Sequence, residues 1–227
     1  MEILQDFSLD VDLPALFAYA HIKPESRDGQ ILTELIEGML PDIRPKAIYR
    51  TAYVEEKYED GVRIDGQRFT SKVLRVNLAS VDRIFPYIAT CGVEVEELTK
   101  AHDDLLHRFV LDRFKEQVLR LAVRYLREYI TTLYIPGEIS SMNPGSLKDW
   151  PLREQRQLFA LFDDVTGAIG VELTESFLMS PVKSVSGIIF PTEHSFENCQ
   201  LCPRQECPGR RAPYDAQLAE EKYHLLT

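Results

Sequence analysis

The sequence predicts an α+β chain, and three observations carry that prediction. Residues 47–90 have the β-branched and aromatic texture of strands, broken by an Asp-Gly turn. A long stretch from about Val95 to Tyr134 then repeats apolar residues with helical spacing. Beyond it the apolar runs become short again, around Ile169 and from Ser184 to Phe190, before a cysteine-rich tail.

The elements follow in order. Gly29 to Met39 carries Ile31, Leu32, Leu35 and Ile36 near a 3.6-residue period, and Pro41 and Pro45 end it, so residues 1–46 are expected to form an N-terminal helical segment. Residues 47–190 are expected to form the core. Ala47 to Val54 reads as a strand, Val62 to Phe69 as a hairpin around Asp65-Gly66, and Val73 to Leu78 and Ile84 to Thr90 as further strands. In the long helix, Leu98, Leu105, Phe109, Phe114, Val118, Leu121, Leu126 and Ile130 mark a broad apolar face. Residues 136–146 are rich in turn formers and read as a loop. Asp149 is placed to cap a helix over Leu152 to Phe162, with Pro151 in its first turn. Strands are expected near Ile169–Val171 and over Ser184–Phe190. Residues 191–227 form a cysteine-rich extension closed by a helix from about Tyr214.

The chain has 227 residues, a net charge of −10 and a hydrophobic fraction of 44%, enough for a substantial core. The acidic balance argues against a nucleic-acid or anionic-membrane partner. No segment approaches the roughly 20 apolar residues of a membrane span. The first residues, Met1-Glu2-Ile3-Leu4-Gln5-Asp6, lack the features of a signal peptide, so a cytoplasmic location is expected. Gly-x-x-x-x-Gly-Lys, Gly-x-Gly-x-x-Gly, His-Glu-x-x-His and corrinoid-ligating Asp-x-His-x-x-Gly patterns are all missing, which leaves triphosphates, dinucleotides and a resident corrinoid without support.

Three segments resemble the activation (reactivation) domain of cobalamin-dependent methionine synthase and the stand-alone proteins similar to it. Leu111-Asp112-Arg113-Phe114-Lys115-Glu116 is similar to that family's helical Asp-Arg-Leu-Ala-Glu stretch. Asn143-Pro144-Gly145 is similar to its Pro-Gly-Tyr loop. Glu175 to Gly187, with Met179-Ser180-Pro181 and Ser184-Val185-Ser186-Gly187, resembles its Met-x-Pro and Ser-Val-Ser-Gly segment. The resemblance implies a twisted, mainly antiparallel sheet with flanking helices, and a shallow groove for S-adenosylmethionine that faces cobalamin on a partner. It further implies reductive methylation of cob(II)alamin, with an electron from a flavodoxin- or ferredoxin-like donor. The groove residues it implies are Glu116, Ser141, Asn143, Pro144, Gly145, Ser146, Glu175, Ser184, Ser186 and Gly187. The family's Arg before Pro-Gly and Tyr after it are replaced here by Ser141 or Met142 and by Ser146; Lys148, Arg153 and Lys183 are the nearby cations. Two functions follow: a reactivation factor for a corrinoid methyltransferase, or a non-catalytic assembly subunit of such a system that has lost S-adenosylmethionine.

Cys199-x2-Cys202-x4-Cys207 lies beyond the resembling part, and Cys91 is the only other cysteine. The spacing predicts a metal centre of Cys91, Cys199, Cys202 and Cys207, with His194 as the alternative fourth ligand. Low-potential corrinoid chemistry favours an iron–sulfur cluster there, with zinc as the alternative.

Overall fold

The computed structural model describes residues 1–100, 102–193, 196–207 and 209–225. The chain opens with a short strand, β1 (Glu2–Leu4), that adds an edge to the sheet within a stretch expected to be helical. Helix α1 (Leu13–Tyr19) starts at Asp12, whose carboxylate accepts the Ala15 N–H at 2.9 Å, and α2 (Arg27–Met39) starts at Ser26. The predicted strand 47–54 is two strands, β2 (Lys46–Tyr49) and β3 (Ala52–Lys57). The hairpin is as expected: β4 (Gly61–Ile64) and β5 (Gln67–Thr70) join through Asp65 and Gly66, both at positive φ.

Residues 73–78 depart from expectation. They form helix α3 (Lys72–Asn77), not a strand. The Ser71 hydroxyl accepts the Leu74 N–H at 3.0 Å, and Asp149 accepts the N–H groups of Lys72 and Val73 at 3.2 and 2.9 Å. Half of this cap comes from a residue more than seventy positions away, which local alternation cannot reveal. Asp149 is thus spent on α3 and caps no helix of its own.

Strand β6 (Arg83–Thr90) lies where the apolar run placed it. The long helix is divided into α4 (Val93–Lys100) and α5 (Leu105–Tyr134), because Asp104 caps a new start by accepting the His107 N–H at 2.9 Å. Phe114, Val118, Leu121, Leu126 and Ile130 are buried as expected, whereas Leu98, Leu105 and Phe109 are exposed near the break. The turn-rich loop hides strand β7 (Ile139–Met142). A 3₁₀ turn (Leu152–Glu154) leads into α6 (Gln155–Phe159), and α7 (Val165–Ile169) replaces the strand expected at 169–171; Gly170, at φ 72°, ends it. The small hairpin β8 (Glu172–Leu173) and β9 (Met179–Ser180) precedes β10 (Ser184–Pro191), and the chain closes with a 3₁₀ turn (Asn198–Leu201) and α8 (Ala216–Glu221).

Among the described residues the main sheet has eight strands, all in antiparallel ladders, and β6 is its hub. One edge of β6 pairs with β2 and β3. The other pairs with β10, which carries β7. Both faces of β6 are buried: Ile84 and Ile88 join a core with Phe69, Trp150, Ile188 and Phe190, while Phe85, Tyr87 and Ala89 meet Leu126 and Ile130 of α5 on the other face. A third cluster gathers α1, α2, α4 and the first half of α5 around Cys91. This is an α+β architecture with helices flanking a curled antiparallel sheet. No helix among the described residues is long and apolar enough to cross a membrane.

Candidate ligand-binding groove

Helix α5 runs along the sheet face that ends in β10 and β7, and between them lies a groove of about 770 Å³. Its walls are Glu116, Arg120, Arg124 and Arg127 from α5, Ser141 and Asn143 from β7 and its following loop, Tyr87 of β6, Val185 of β10 and Arg211 of the tail. Three residues expected from the sequence, Glu116, Ser141 and Asn143, therefore meet in one groove.

Each is held by specific bonds. Asn143 donates its amide hydrogens to the Tyr87 hydroxyl and to the Ser186 carbonyl, both at 2.8 Å. Tyr87 is buried, and burial raises its pKa, opposed by the Asn143 bond and by the charges of Arg127 and Arg211. Ser141 is buried and accepts a hydrogen bond from Arg127 Nη1 at 3.0 Å. Glu116 is bridged by Arg113 at 2.7 Å and Arg120 at 2.5 Å. Burial pushes its carboxyl up, but these two guanidinium groups outweigh it and hold the pKa below the usual range. Glu116 is therefore a carboxylate already neutralised by its own helix, poorly suited to pair with a ligand cation as well.

The remaining expected residues divide. Gly187 backs Asn143 from β10: a Cβ there would lie 2.4 Å from Asn143 Nδ2 and 2.6 Å from the Met142 carbonyl, so this close approach requires glycine. Ser186 is buried and donates to Gln155 Oε1 at 3.2 Å, and Ser184 bonds Thr90 and the Pro181 carbonyl, so both hold the sheet rather than face the groove. Glu175 sits exposed in the β8–β9 turn and lines neither cavity. Pro144 is buried, and Gly145 and Ser146 turn away into a second cavity of about 820 Å³ against the tail, beside Cys202, Arg204 and Tyr214.

Sequence reasoning missed Arg120, Arg124 and Arg127. Their spacing of i, i+4 and i+7 is a helical face, and a search for charge as well as apolar periodicity would have found it. Of the cations considered instead, Lys183 is occupied by Asp112 at 2.8 Å, and Lys148 lines the second cavity.

The four cysteines do not assemble as the spacing suggested. Among the described residues no group of three or more His, Cys, Asp or Glu side chains could hold a metal ion, and His194 lies outside the described residues. Cys91 is fully buried beneath the helices with Val95, Val110 and Phe114, whereas Cys202 packs against the core on the opposite side of the sheet. The cysteine loop is organised by Arg210 instead, whose guanidinium donates to the carbonyls of Cys199, Cys202, Arg204 and Ala212. A donor set split in this way does not fit one cluster, and no redox step is derived from it. Burial pushes the Cys91 thiol up to about 12. Cys199 is also partly desolvated, but the backbone N–H groups of Arg211 and Ala212 and the Arg211 charge bring its pKa below the ordinary thiol value. With a thiol-specific chromogenic reagent at neutral pH, Cys199 is expected to react first and Cys91 only after denaturation. Equal labelling of Cys91 in the folded protein, read by peptide mass mapping, would refute this burial.

No curated protein matches the chain by sequence. Residues 147–199 match the family model described as vitamin B12 dependent methionine synthase, activation domain. Among solved structures, a crystal structure of the MetH reactivation domain bound to AdoHcy superposes with a TM-score of 0.62, covering 88% of this chain and 82% of that one at 16% identity. The chain therefore has the fold of the methionine synthase activation domain over most of its length, and carries that family's sequence signature from residue 147 to residue 199.

Proposed function

We propose that this protein is a reactivation factor for a cobalamin-dependent methyltransferase, acting in the cytoplasm on a corrinoid held by a partner protein. The groove between α5 and the β7–β10 edge is the observation that carries this reading. At about 770 Å³ it has the volume of a small-molecule site, polar at Ser141 and Asn143 and cationic along α5. Its fold is the one in which a related domain has been solved bound to AdoHcy. S-Adenosylmethionine, when bound, would supply the methyl group, and a flavodoxin- or ferredoxin-like donor the electron. The residues of this chain would bind and orient the nucleoside: Asn143, its amide hydrogens locked by Tyr87 and Ser186, offers a fixed amide oxygen as an acceptor, and Val185 and Leu119 offer apolar walls.

Titration calorimetry with S-adenosylmethionine and S-adenosylhomocysteine tests the reading. Saturable binding that weakens about tenfold or more in Asn143→Ala is expected, since the amide oxygen, the one polar side-chain atom of Asn143 not already bonded to Tyr87 or Ser186, is lost from the wall. Absence of heat and of any thermal shift at millimolar ligand would sink it.

A second reading has its own support. Gly145 and Ser146, which follow Pro144 in the family-like loop, face the second cavity and not the groove. A non-catalytic assembly subunit of a corrinoid methyltransferase system would retain the fold without the nucleoside. Co-purification with a corrinoid protein in the absence of any S-adenosylmethionine response would favour it.

A further inference from the structure

The groove gathers four guanidinium groups, Arg120, Arg124, Arg127 and Arg211, against two carboxylates, Glu116 and Glu128, among the described residues. In a chain of net charge −10 this local excess runs against the whole. The internal pairings do not remove it. Arg120 is consumed by Glu116, and Arg211 holds Glu197 at 2.8 Å. Arg124 and Arg127 form no ion pair among the described residues, and Arg127 has only the neutral hydroxyl of Ser141. Arg127 of α5 and Arg211 of the tail both line the groove, and both charges act on the buried Tyr87 hydroxyl. A half-buried guanidinium aimed by a buried serine, with no acid of its own, retains donors for an incoming oxygen anion.

We infer that the Arg124–Arg127 face of α5 in the groove is an oxyanion site that takes the carboxylate or phosphate of the bound molecule, with Arg127 as the fixing residue and Ser141 its positioning partner. This rests on the groove being a ligand site, as proposed above. Ser141 stands in β7 at the mouth of the 143–146 loop, so an arginine delivered across the groove from α5 reaches the same wall that the loop itself lacks a cation to serve. Glu128, one position beyond Arg127, also forms no ion pair among the described residues and leaves a place for a cationic group beside the bound oxyanion, as an α-amino acid would carry.

The test compares three probes on the full chain: S-adenosylhomocysteine, its decarboxylated analogue, and inorganic phosphate. Wild type is expected to bind the carboxylate-bearing nucleoside roughly 10- to 100-fold more tightly than the decarboxylated one, and Arg127→Met to erase that difference while leaving the analogue's affinity unchanged. Arg127→Lys should recover part of it, since a point charge replaces a planar fork. If neither nucleoside binds but phosphate raises the melting temperature of wild type and not of Arg127→Met, the oxyanion site stands with phosphate as its ligand and the nucleoside reading falls. The inference is overturned if Arg127→Met weakens both nucleosides equally, or if no probe affects wild type. Unchanged circular dichroism of Arg127→Met and Arg127→Lys excludes misfolding as the cause.

Discussion

Trp150→Ala is expected to destabilise the protein by about 3–5 kcal/mol, the range for truncating a large buried aromatic. Trp150 is fully buried, meets Phe69 edge-on at a centroid distance of 6.2 Å, and packs in the core that Phe69, Ile188 and Phe190 share. Domains of this size are stable by about 5–15 kcal/mol, so the loss is a large fraction of the margin. Its backbone also ties the loop that leads into the groove. The Trp150 carbonyl accepts the Gly145 N–H at 2.7 Å, and its N–H donates to Leu147 at 3.2 Å. The variant should therefore loosen residues 143–150 before it unfolds globally, giving hydrogen exchange that rises there first. Trp150→Phe should cost far less. The indole Nε1–H is buried without a partner among the described residues, and phenylalanine removes that orphaned donor while keeping most of the packing. Chemical denaturation of the pair separates volume from polarity. Equal losses in both variants would mean that the indole has a partner after all.

Gly187→Val is expected to cost about 1–3 kcal/mol, near the upper end, and to displace Asn143. The obstacle is backbone, the Met142 carbonyl 2.6 Å from the site of a Cβ, with Tyr87 Cε1 at 2.9 Å and Asn143 Nδ2 at 2.4 Å. The strand β7 must slide off β10, breaking the register in which Ile188 faces Met142. Gly38→Ala is the control. Nothing lies within 4 Å of its Cβ, it sits in α2, and the change should stabilise by about 0.5–1 kcal/mol through helix propensity alone. A Gly187→Val melting temperature within a degree of wild type would show that β7 accommodates the methyl groups without cost.

Local chemistry alone was enough for several elements. The Asp65-Gly66 turn needs two residues at positive φ, and its neighbours alternate, so the β4–β5 hairpin is written in ten consecutive residues. The apolar, β-branched runs of β6 and β10 are strands where the sequence places them. The Met-Ser-Pro and Ser-Val-Ser-Gly segment carried the family resemblance, and it lies within the matched residues 147–199. Of the ten residues the resemblance implies for the groove, Glu116, Ser141 and Asn143 line one cavity, and the other seven do not.

What the sequence could not decide was which distant group completes each local choice. Alternating Val73 to Leu78 would serve a strand or a helix, and Asp149 decides for the helix by capping it from across the fold. The apolar face of residues 95–134 reads as one helix until Asp104 competes for the backbone and starts a second. Cysteine spacing suggested one centre, but thiols converge only where the chain brings them. Cys91 is sealed under the helical layer, while Cys202 packs against the core on the far side of the sheet and Arg210 holds the carbonyls of Cys199 and Cys202. Arg127 is the plainest case. By spacing it is one more charge on a solvated helix face, and only the packing of α5 over β7 turns it toward Ser141 and makes it a donor in search of an anion. Periodicity and turn chemistry are short-range and can be read along the chain, whereas pairing of polar groups is a property of the folded surface, decided by which elements lie side by side.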